Sequence, residues 1–521
     1  MMLSAIYFQD TDPSGVSAEL VERTIVLPKV DWKAIGSINV LIVGALVLLV
    51  VASLARHTRW IDGVYRWFTI ATAAIAGGVA MWRWDDARSL TRDPGAISNA
   101  IKVDGFSVFV TVLISAILII GALIVEDYLR REDMLGPEVF VLMLLSASGG
   151  VIMASANDLI VLFLGLEILS IALYVLAGSN VRKAESQEAA LKYFVLGGFS
   201  SAVFLYGIAL TYGATGSTNL TEITTYLGSI VVFGGNGLLL AGLALLLVGL
   251  GFKIAAVPFH MWTPDVYQGS PSPIAGFMAA GAKVAGFAAL LRVLLTAMST
   301  QTLDWRPIVW VLAVLSMVVG AVLSATQTDV KRLMAYSSIS HAGFILIGLQ
   351  AASPDGTSGA LFYLFAYAFI VLGSFAVISV VGRLGDAEHS LADYKGLGHR
   401  SPALAILFTL FLLGQAGIPA TSGFMAKFGV IRAAADVDSY AIAIIAMFAS
   451  VIGAFAYLRI IVSMFMSDDG HEPTSAGTLA DGGYFVGRGT RVAILISAVA
   501  TLFFGVAPQM LVNFASDALL R

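Results

Sequence analysis

GLGFKIAAVPFHMWTPD, residues Gly249 to Asp265, begins in the last two residues of the apolar run NGLLLAGLALLLVGL that starts at Asn236. A helix long enough to sit in lipid is thus interrupted by Lys253, then by Pro258 and His260. Proline removes a backbone donor and clashes with the preceding turn, and such a break is tolerated at membrane depth only where protein or water meets the freed groups. An ammonium beside a break in an apolar helix therefore points to a polytopic membrane protein with a polar interior.

The rest of the chain agrees. Its 521 residues are 58% hydrophobic and only 12% charged, with a mean hydropathy of +0.88. Soluble domains carry about 25% charged residues, so most of this chain does not face water. Apolar windows of roughly 20 residues recur from Ile35 to Val512 with short breaks, which predicts one bundle of about fourteen transmembrane helices. The expected division is an extramembrane segment over residues 1–34 and a single transmembrane bundle over 35–521. The first segment has no basic flank followed by an apolar core, as a secretory signal requires.

Several classes are excluded. The absence of cysteine rules out disulfides, thiolate metal sites and cysteine-held clusters within this chain. No phosphate-binding loop, zinc-protease motif or nucleophile elbow occurs. The net charge of -4 and the lack of a basic stripe argue against nucleic acid. Basic residues concentrate in alternate short loops, among them Arg130, Arg131, Arg182, Lys183, Lys331, Arg332, Arg383, Lys395 and Arg400. The opposite loops hold Arg83, Arg88, Arg92, Lys102 and Arg306, and those at 214–236, 351–357 and 435–439 hold none. The positive-inside rule makes the first set cytoplasmic, with both termini on the outer side.

Two windows are unusual. The run 237–262 carries Lys253 and Pro258, and the run 402–434 carries GIPATSGFMAKF with Pro419 and Lys427; it exceeds one crossing and reads as a helix broken at mid-membrane. Each is the fourth of five spans, in groups over about 137–298 and 307–466. A five-span repeat must invert in the membrane, so the expected fold is all-α, with two inverted five-helix repeats containing broken helices.

Charges in the spans single out the candidate site. Glu167 sits mid-span in NDLIVLFLGLEILSIALYVL; Lys253 precedes its proline; Lys283 lies in GFMAAGAKVAGFAALL; Lys427 follows the second break. A charge at the bilayer centre costs about 2.5–3.5 kcal/mol on insertion scales, so each needs a partner, water or a function. Static pairing alone would leave three lysines against one nearby glutamate. Desolvation favours the neutral amine, so such lysines can release and regain protons, and the set reads as a proton relay. His341, in SSISHAGFILIG, is either a relay member or a packing histidine. His260, with Trp262 and Asp265, sits at a helix end where an interfacial aromatic and polar cap are also expected. Lys192 follows Glu188 by four residues, which an ordinary helix pair explains, with a relay role as the lesser reading. Arg292 and Arg459 read as snorkelling anchors. The small residues of SASGG at 146–150 and LGGFSSA at 196–202 read as close helix contacts.

Residues 251–292, with LEILSIALYVLAG, SSISHAGFILIG and GIPATSGFMAKF, resemble the antiporter-like membrane subunits of respiratory complex I and of multisubunit cation/proton antiporters. FHMWTPDVYQGSP and the lysine of GAKVAG are most similar to the N-type branch, whereas L- and M-type members carry PDA-type sequences there. The resemblance implies that Glu167 modulates Lys253, that Lys283 continues the path, and that Lys427 ends it near a neighbouring subunit. It implies redox-driven proton translocation as part of a NADH:quinone oxidoreductase in a bacterial cell membrane. No cofactor is expected in this chain; FMN and iron-sulfur clusters are expected in partner subunits. The implied partners are the M-type subunit and the small membrane subunits K and J, with lipid, protons and water. A subunit of a Na+/H+ antiporter is the second reading.

Overall fold

Twelve described helices are long and apolar enough to cross a membrane, and two shorter apolar ones, Gly237–Lys253 and Pro402–Ala416, accompany them. The computed structural model describes residues 30–54, 59–89, 95–134, 136–229, 237–387, 389–466, 484, 486–518 and 520, the side chains of 59–62 excepted. Most of the expected N-terminal segment lies outside these residues. Beside the helices, a two-stranded antiparallel ladder pairs Gly95–Ala96 with Ile101–Lys102.

Local signals start the helices. Asp104 opens Gly105–Arg131 with a capping box to Ser107, Asp158 accepts from the Ile160 and Val161 amides, and Asp329 accepts from the Arg332 amide. These carboxylates satisfy the first orphan amides, which membrane helices cannot leave bare. Small residues then set how closely helices pack. A Cβ on Gly149 would stand 2.5 Å from the Leu169 amide nitrogen, and one on Gly320 would stand 2.4 Å from that of Ser340. Neither position admits a side chain while the helix pairs keep their spacing. In the second stretch expected to pack closely, Gly197 faces Tyr174, whereas Gly198 has open space around it.

Three helices form the centre: Ser272–Ala297, Val330–Gln350 and Pro354–Val381, each with 94% of its most apolar window buried. Peripheral helices such as Tyr440–Phe465 and Arg488–Val506 turn Phe448, Val451, Phe455 and Val499 outward. Exposed aliphatic and aromatic faces of this kind suit lipid contact.

The structure corrects several expectations. The window 237–262 is not one helix: it ends at Lys253, and a new helix, Trp262–Gly269, begins after a non-helical segment. Lys253 is therefore the last residue of its helix rather than an interior one. Trp262 is buried, not interfacial; its indole donates to the Phe252 carbonyl at 3.0 Å and so satisfies a group freed by the break. The second break matches expectation, since Pro402–Ala416 stops at Gly417 (φ +83°), and Ser422–Ala435 restarts after Ala420 (φ +71°). Lysine precedes the first break and follows the second. The last expected span divides into Arg488–Val506 and Gln509–Asp517. Lys331, counted with the loop charges, is buried against Asp386.

Arg292 does not snorkel. Its guanidinium and the Asp104 carboxylate are both fully buried and meet bidentately at 2.8 and 3.0 Å, and Arg292 Nε donates to the Ala154 carbonyl at 2.7 Å. Three segments are thereby tied at one end of the central helix. Removing one partner of a buried pair leaves the other charge unpaired, at about 3–5 kcal/mol. Asp104→Ala should therefore sharply lower the folded chain recovered from membranes, while Asp104→Leu combined with Arg292→Met should restore most of it. Quantitative immunoblotting of detergent-soluble chain checks both.

Candidate functional site

The first part of the site lies where the Lys253 helix ends. Lys253 is 4% exposed, and its ammonium donates to Ser170 Oγ at 2.9 Å and to Tyr193 Oη at 3.4 Å. Tyr193 is held in turn by the Trp262 ring, stacked at a centroid distance of 4.5 Å. Half-buried Glu167 lies one helical turn before Ser170 and accepts a hydrogen bond from the Ser201 hydroxyl. Between these groups is a small cavity lined by Ser170, Ser200, Ser201 and Lys253, with Tyr174 and Phe252 on its walls. Lys253 lines this cavity directly, and Glu167 reaches it through its bond to Ser201, without a direct ion pair between them among the described contacts.

The second part sits on the neighbouring central helix. Gly286 lets that helix approach the segment just after Lys253, since a Cβ there would lie 2.9 Å from Ile254 Cγ2, with Lys253 Cγ in ordinary contact at 3.4 Å. One turn earlier, Lys283 follows a π-helical turn, Met278–Ala282. Turns of this kind carry an extra residue and occur often at functional sites. The Lys283 ammonium donates to the Ser338 carbonyl oxygen and lies 5.2 Å from the centroid of the Tyr367 ring.

The third part runs along the helix Val330–Gln350. Ser338, His341 and Phe344 recur at three-residue spacing, so each neighbours the next along the helix. His341 is buried, with Nδ1 2.7 Å from Tyr363 Oη and Nε2 3.3 Å from Tyr457 Oη. Tyr457 Oη lies 2.5 Å from Ser337 Oγ; Ser337 donates to Gln415 at 3.0 Å, and Gln415 donates to Ser374 at 2.9 Å. Lys427 closes the series, 4.8 Å from the Phe344 ring centroid, donating to Ser450 Oγ and to the Ala416 carbonyl, each at 2.9 Å. Ala416 ends the first half of the broken helix, so the break supplies a main-chain acceptor to the lysine.

The four main candidates therefore line up as Glu167, Lys253, Lys283 and Lys427, with His341 between the last two. None of these lysines makes an ion pair with a carboxylate among the described residues. Each is held by hydroxyl or carbonyl oxygen, which accepts from an ammonium and from a neutral amine alike. The weaker candidates fall elsewhere. Lys192 is partly exposed and pairs with Glu188 at 2.7 Å, as its spacing implies, and also with Asp265 at 2.8 Å. Asp265 further accepts from Arg332 at 2.7 Å. Burial raises the Asp265 carboxyl, but bonds from Lys192 and Arg332 outweigh that and hold it below the usual carboxylate range. His260 is half-buried in the first break, with no partner for Nδ1 among the described residues.

Sequence reasoning missed the uncharged members: Ser170, Ser201, Tyr193, Tyr363, Tyr367, Tyr457, Gln415 and Ser450. Ser170, three residues after Glu167, and Gln415, beside the second break, carried a signal, being polar groups in strongly apolar spans. Among the described residues no group of three or more His, Asp or Glu could hold a metal ion.

Residues 156–453 match the NADH:quinone oxidoreductase/Mrp antiporter transmembrane family, and this segment contains Glu167, Lys253, Lys283 and Lys427. The chain belongs to that family. It is similar to NADH-quinone oxidoreductase subunit N 3 of Streptomyces griseus, at 39% identity over 99% of both chains. It is also similar to NADH-quinone oxidoreductase subunit N of Mycobacterium tuberculosis, at 46% identity over 75% of this chain and 73% of that one. Among solved structures it is similar to a chain of respiratory complex I from Thermus thermophilus, with 31% identity, a TM-score of 0.73, and coverage of 92% and 98%. The Mrp complex from Dietzia shares the fold, with a TM-score of 0.80, 20% identity, and coverage of 93% and 96%. The antiporter family thus supplies the bundle, while the closer sequence likeness is to complex I.

Burial separates this family member's lysines into two kinds. An amine-acetylating reagent should modify Lys192 at least about tenfold faster than Lys253, Lys283 or Lys427, since even ~1.4 kcal/mol of opening cost gives that factor. Mass spectrometry of the labelled, folded protein reads the ratio.

Proposed function

We propose that this chain is a proton-translocating membrane subunit of a bacterial NADH:quinone oxidoreductase, working while electrons pass from NADH to quinone in partner subunits. The observation that carries the reading is the row of three buried lysines, each held by oxygen acceptors rather than by a paired carboxylate. A lysine so held loses its proton without losing its partners, which a salt-bridged lysine cannot do. Glu167 acts on Lys253 across the cavity that Lys253 and Ser201 line: with the carboxylate near, the ammonium is favoured; with it drawn back to Ser201, the amine is. Lys283 takes the proton on, and His341, with its tyrosine and serine contacts, bridges toward Lys427. Lys192 and His260 stand at the edge of this path as lesser members.

The finer assignments belong to the same reading. Lys427 would end the path near a neighbouring subunit, and the M-type subunit and the small subunits K and J would be partners. FMN and iron-sulfur clusters would reside in other subunits. The chain would sit in the inner membrane with both termini on the outer side, and its two broken-helix groups, about 137–298 and 307–466, would be inverted repeats. The two breaks support the repeat, although their lysines lie on opposite sides of the breaks. A Na+/H+ antiporter subunit has weaker support, because the likeness to the Mrp complex is one of fold.

The test uses the whole purified complex in liposomes. Lys253→Ala and Lys253→Arg should each cut NADH-driven proton uptake per NADH by at least about half, with assembly intact. Arginine keeps the charge but does not deprotonate, so its failure separates a relay from a structural cation. Normal pumping in Lys253→Arg would remove Lys253 from the relay, and cation exchange without NADH would favour the antiporter reading.

A further inference from the structure

Resting on the relay reading above, we infer that Asp386 is a positioning residue for Lys283, holding the Lys283 and His341 helices in register from their shared end. Asp386 lies in the loop after Pro354–Val381, is 4% exposed, and belongs to none of the groups in the relay. One carboxylate oxygen accepts from the Ser272 amide at 3.0 Å, the other from the Ser272 hydroxyl at 2.7 Å. It therefore caps the first turn of the helix that carries Lys283. Lys331, in the first turn of the His341 helix, reaches the same carboxylate at 3.4 Å and donates to the Ser270 carbonyl at 2.6 Å. His389 Nε2 lies 3.1 Å from the carboxylate, and Lys183 donates to the Asp386 main-chain oxygen at 2.7 Å. Burial alone would raise this carboxyl, but Lys331, His389 and Ser272 hold it well below the usual range, so it stays ionised.

The two helices that Asp386 joins are the two that the Lys283–Ser338 hydrogen bond links. From Ser272 to Lys283 is about 16 Å of helix, and from Lys331 to Ser338 about 10 Å. The Lys283 bond to the Ser338 carbonyl forms only if these two rods keep their relative height. The far end of the Lys283 helix is held by Arg292 on Asp104. With the π turn between the two anchors, rotation at Lys283 depends on both ends being fixed. Losing the Asp386 anchor frees one end, so its effect must appear through Lys283.

The test compares Asp386→Ala, Asp386→Glu, Lys283→Ala and the double Asp386→Ala/Lys283→Ala in the whole reconstituted complex. Asp386→Asn stands in should the alanine variant not assemble. Asp386→Ala should lower proton uptake per NADH at least about twofold, Asp386→Glu should return most of it, and the double variant should pump no less than Lys283→Ala alone, as expected for residues acting through one contact. A double variant that multiplies the two losses would overturn the inference and leave Asp386 as a general packing residue. Amide hydrogen exchange gives a readout independent of pumping. Faster exchange confined to the first turns of Ser272–Ala297 and Val330–Gln350, reversed by glutamate, supports the clamp, and unchanged exchange overturns it. If Lys283→Ala pumps normally, the relay reading fails, and exchange still decides whether Asp386 holds the two helices.

Discussion

An ammonium group cannot enter a hydrocarbon layer without acceptors to replace the water it gives up, and this requirement organises the bundle around three lysines. Each finds its acceptors in a different way. Lys253 takes two hydroxyls from neighbouring helices, Lys283 takes a main-chain carbonyl and an aromatic face, and Lys427 takes the carbonyl exposed by a helix break together with a serine. The helix breaks are thus part of how the charges are held. Breaking a helix in lipid costs hydrogen bonds, and here side chains answer them: the Trp262 indole caps Phe252, and Ser316 accepts from the Val257 amide at 2.9 Å.

Two kinds of buried ion chemistry coexist in the chain, and their geometry separates structure from transport. The Arg292–Asp104 pair is bidentate, fully buried and satisfied further by a carbonyl, an arrangement that locks helices and leaves no proton free to move. The Asp386 cluster, with Lys331 and His389, is of the same kind at the opposite end of the central helix. Between these fixed ends Lys253, Lys283 and Lys427 donate to hydroxyl and carbonyl oxygens, with no carboxylate partner among the described residues. The protein therefore places its strong pairs where rigidity matters and its weak ones where protonation must change. Peripheral helices such as Tyr440–Phe465 and Arg488–Val506 present apolar faces outward.

Much of this was legible in residue order because lipid makes charge conspicuous. Glu167, Lys253, Lys283, Lys427 and His341 stand out from apolar spans by composition alone, and the proline breaks beside two of them mark where backbone groups come free. Their partners were not legible. Ser170, Tyr193, Tyr363 and Ser450 are ordinary residues in a membrane helix until a neighbour from a distant segment points a charge at them. The same holds for Arg292, which by sequence is an anchor near a helix end and by structure meets an aspartate 188 positions away. Trp262 likewise suits an interface by type, yet stacking on Tyr193 draws it inside.

What the sequence determined by itself was the class of solvent, the approximate spans and the ionisable groups inside them, because hydropathy and the cost of buried charge act locally along the chain. Only the tertiary structure decided that Lys253 ends its helix rather than lying within it, that Lys253, Lys283 and Lys427 have no carboxylate partner among the described residues, and that Asp386 ties the Lys283 and His341 helices together. The physical reason is that a hydrogen bond between helices depends on their rotation and height, and those are set by packing of small residues such as Gly149, Gly286 and Gly320 across pairs of segments. Helix rotation and height are properties of the bundle, with no local signature in any one stretch of the chain.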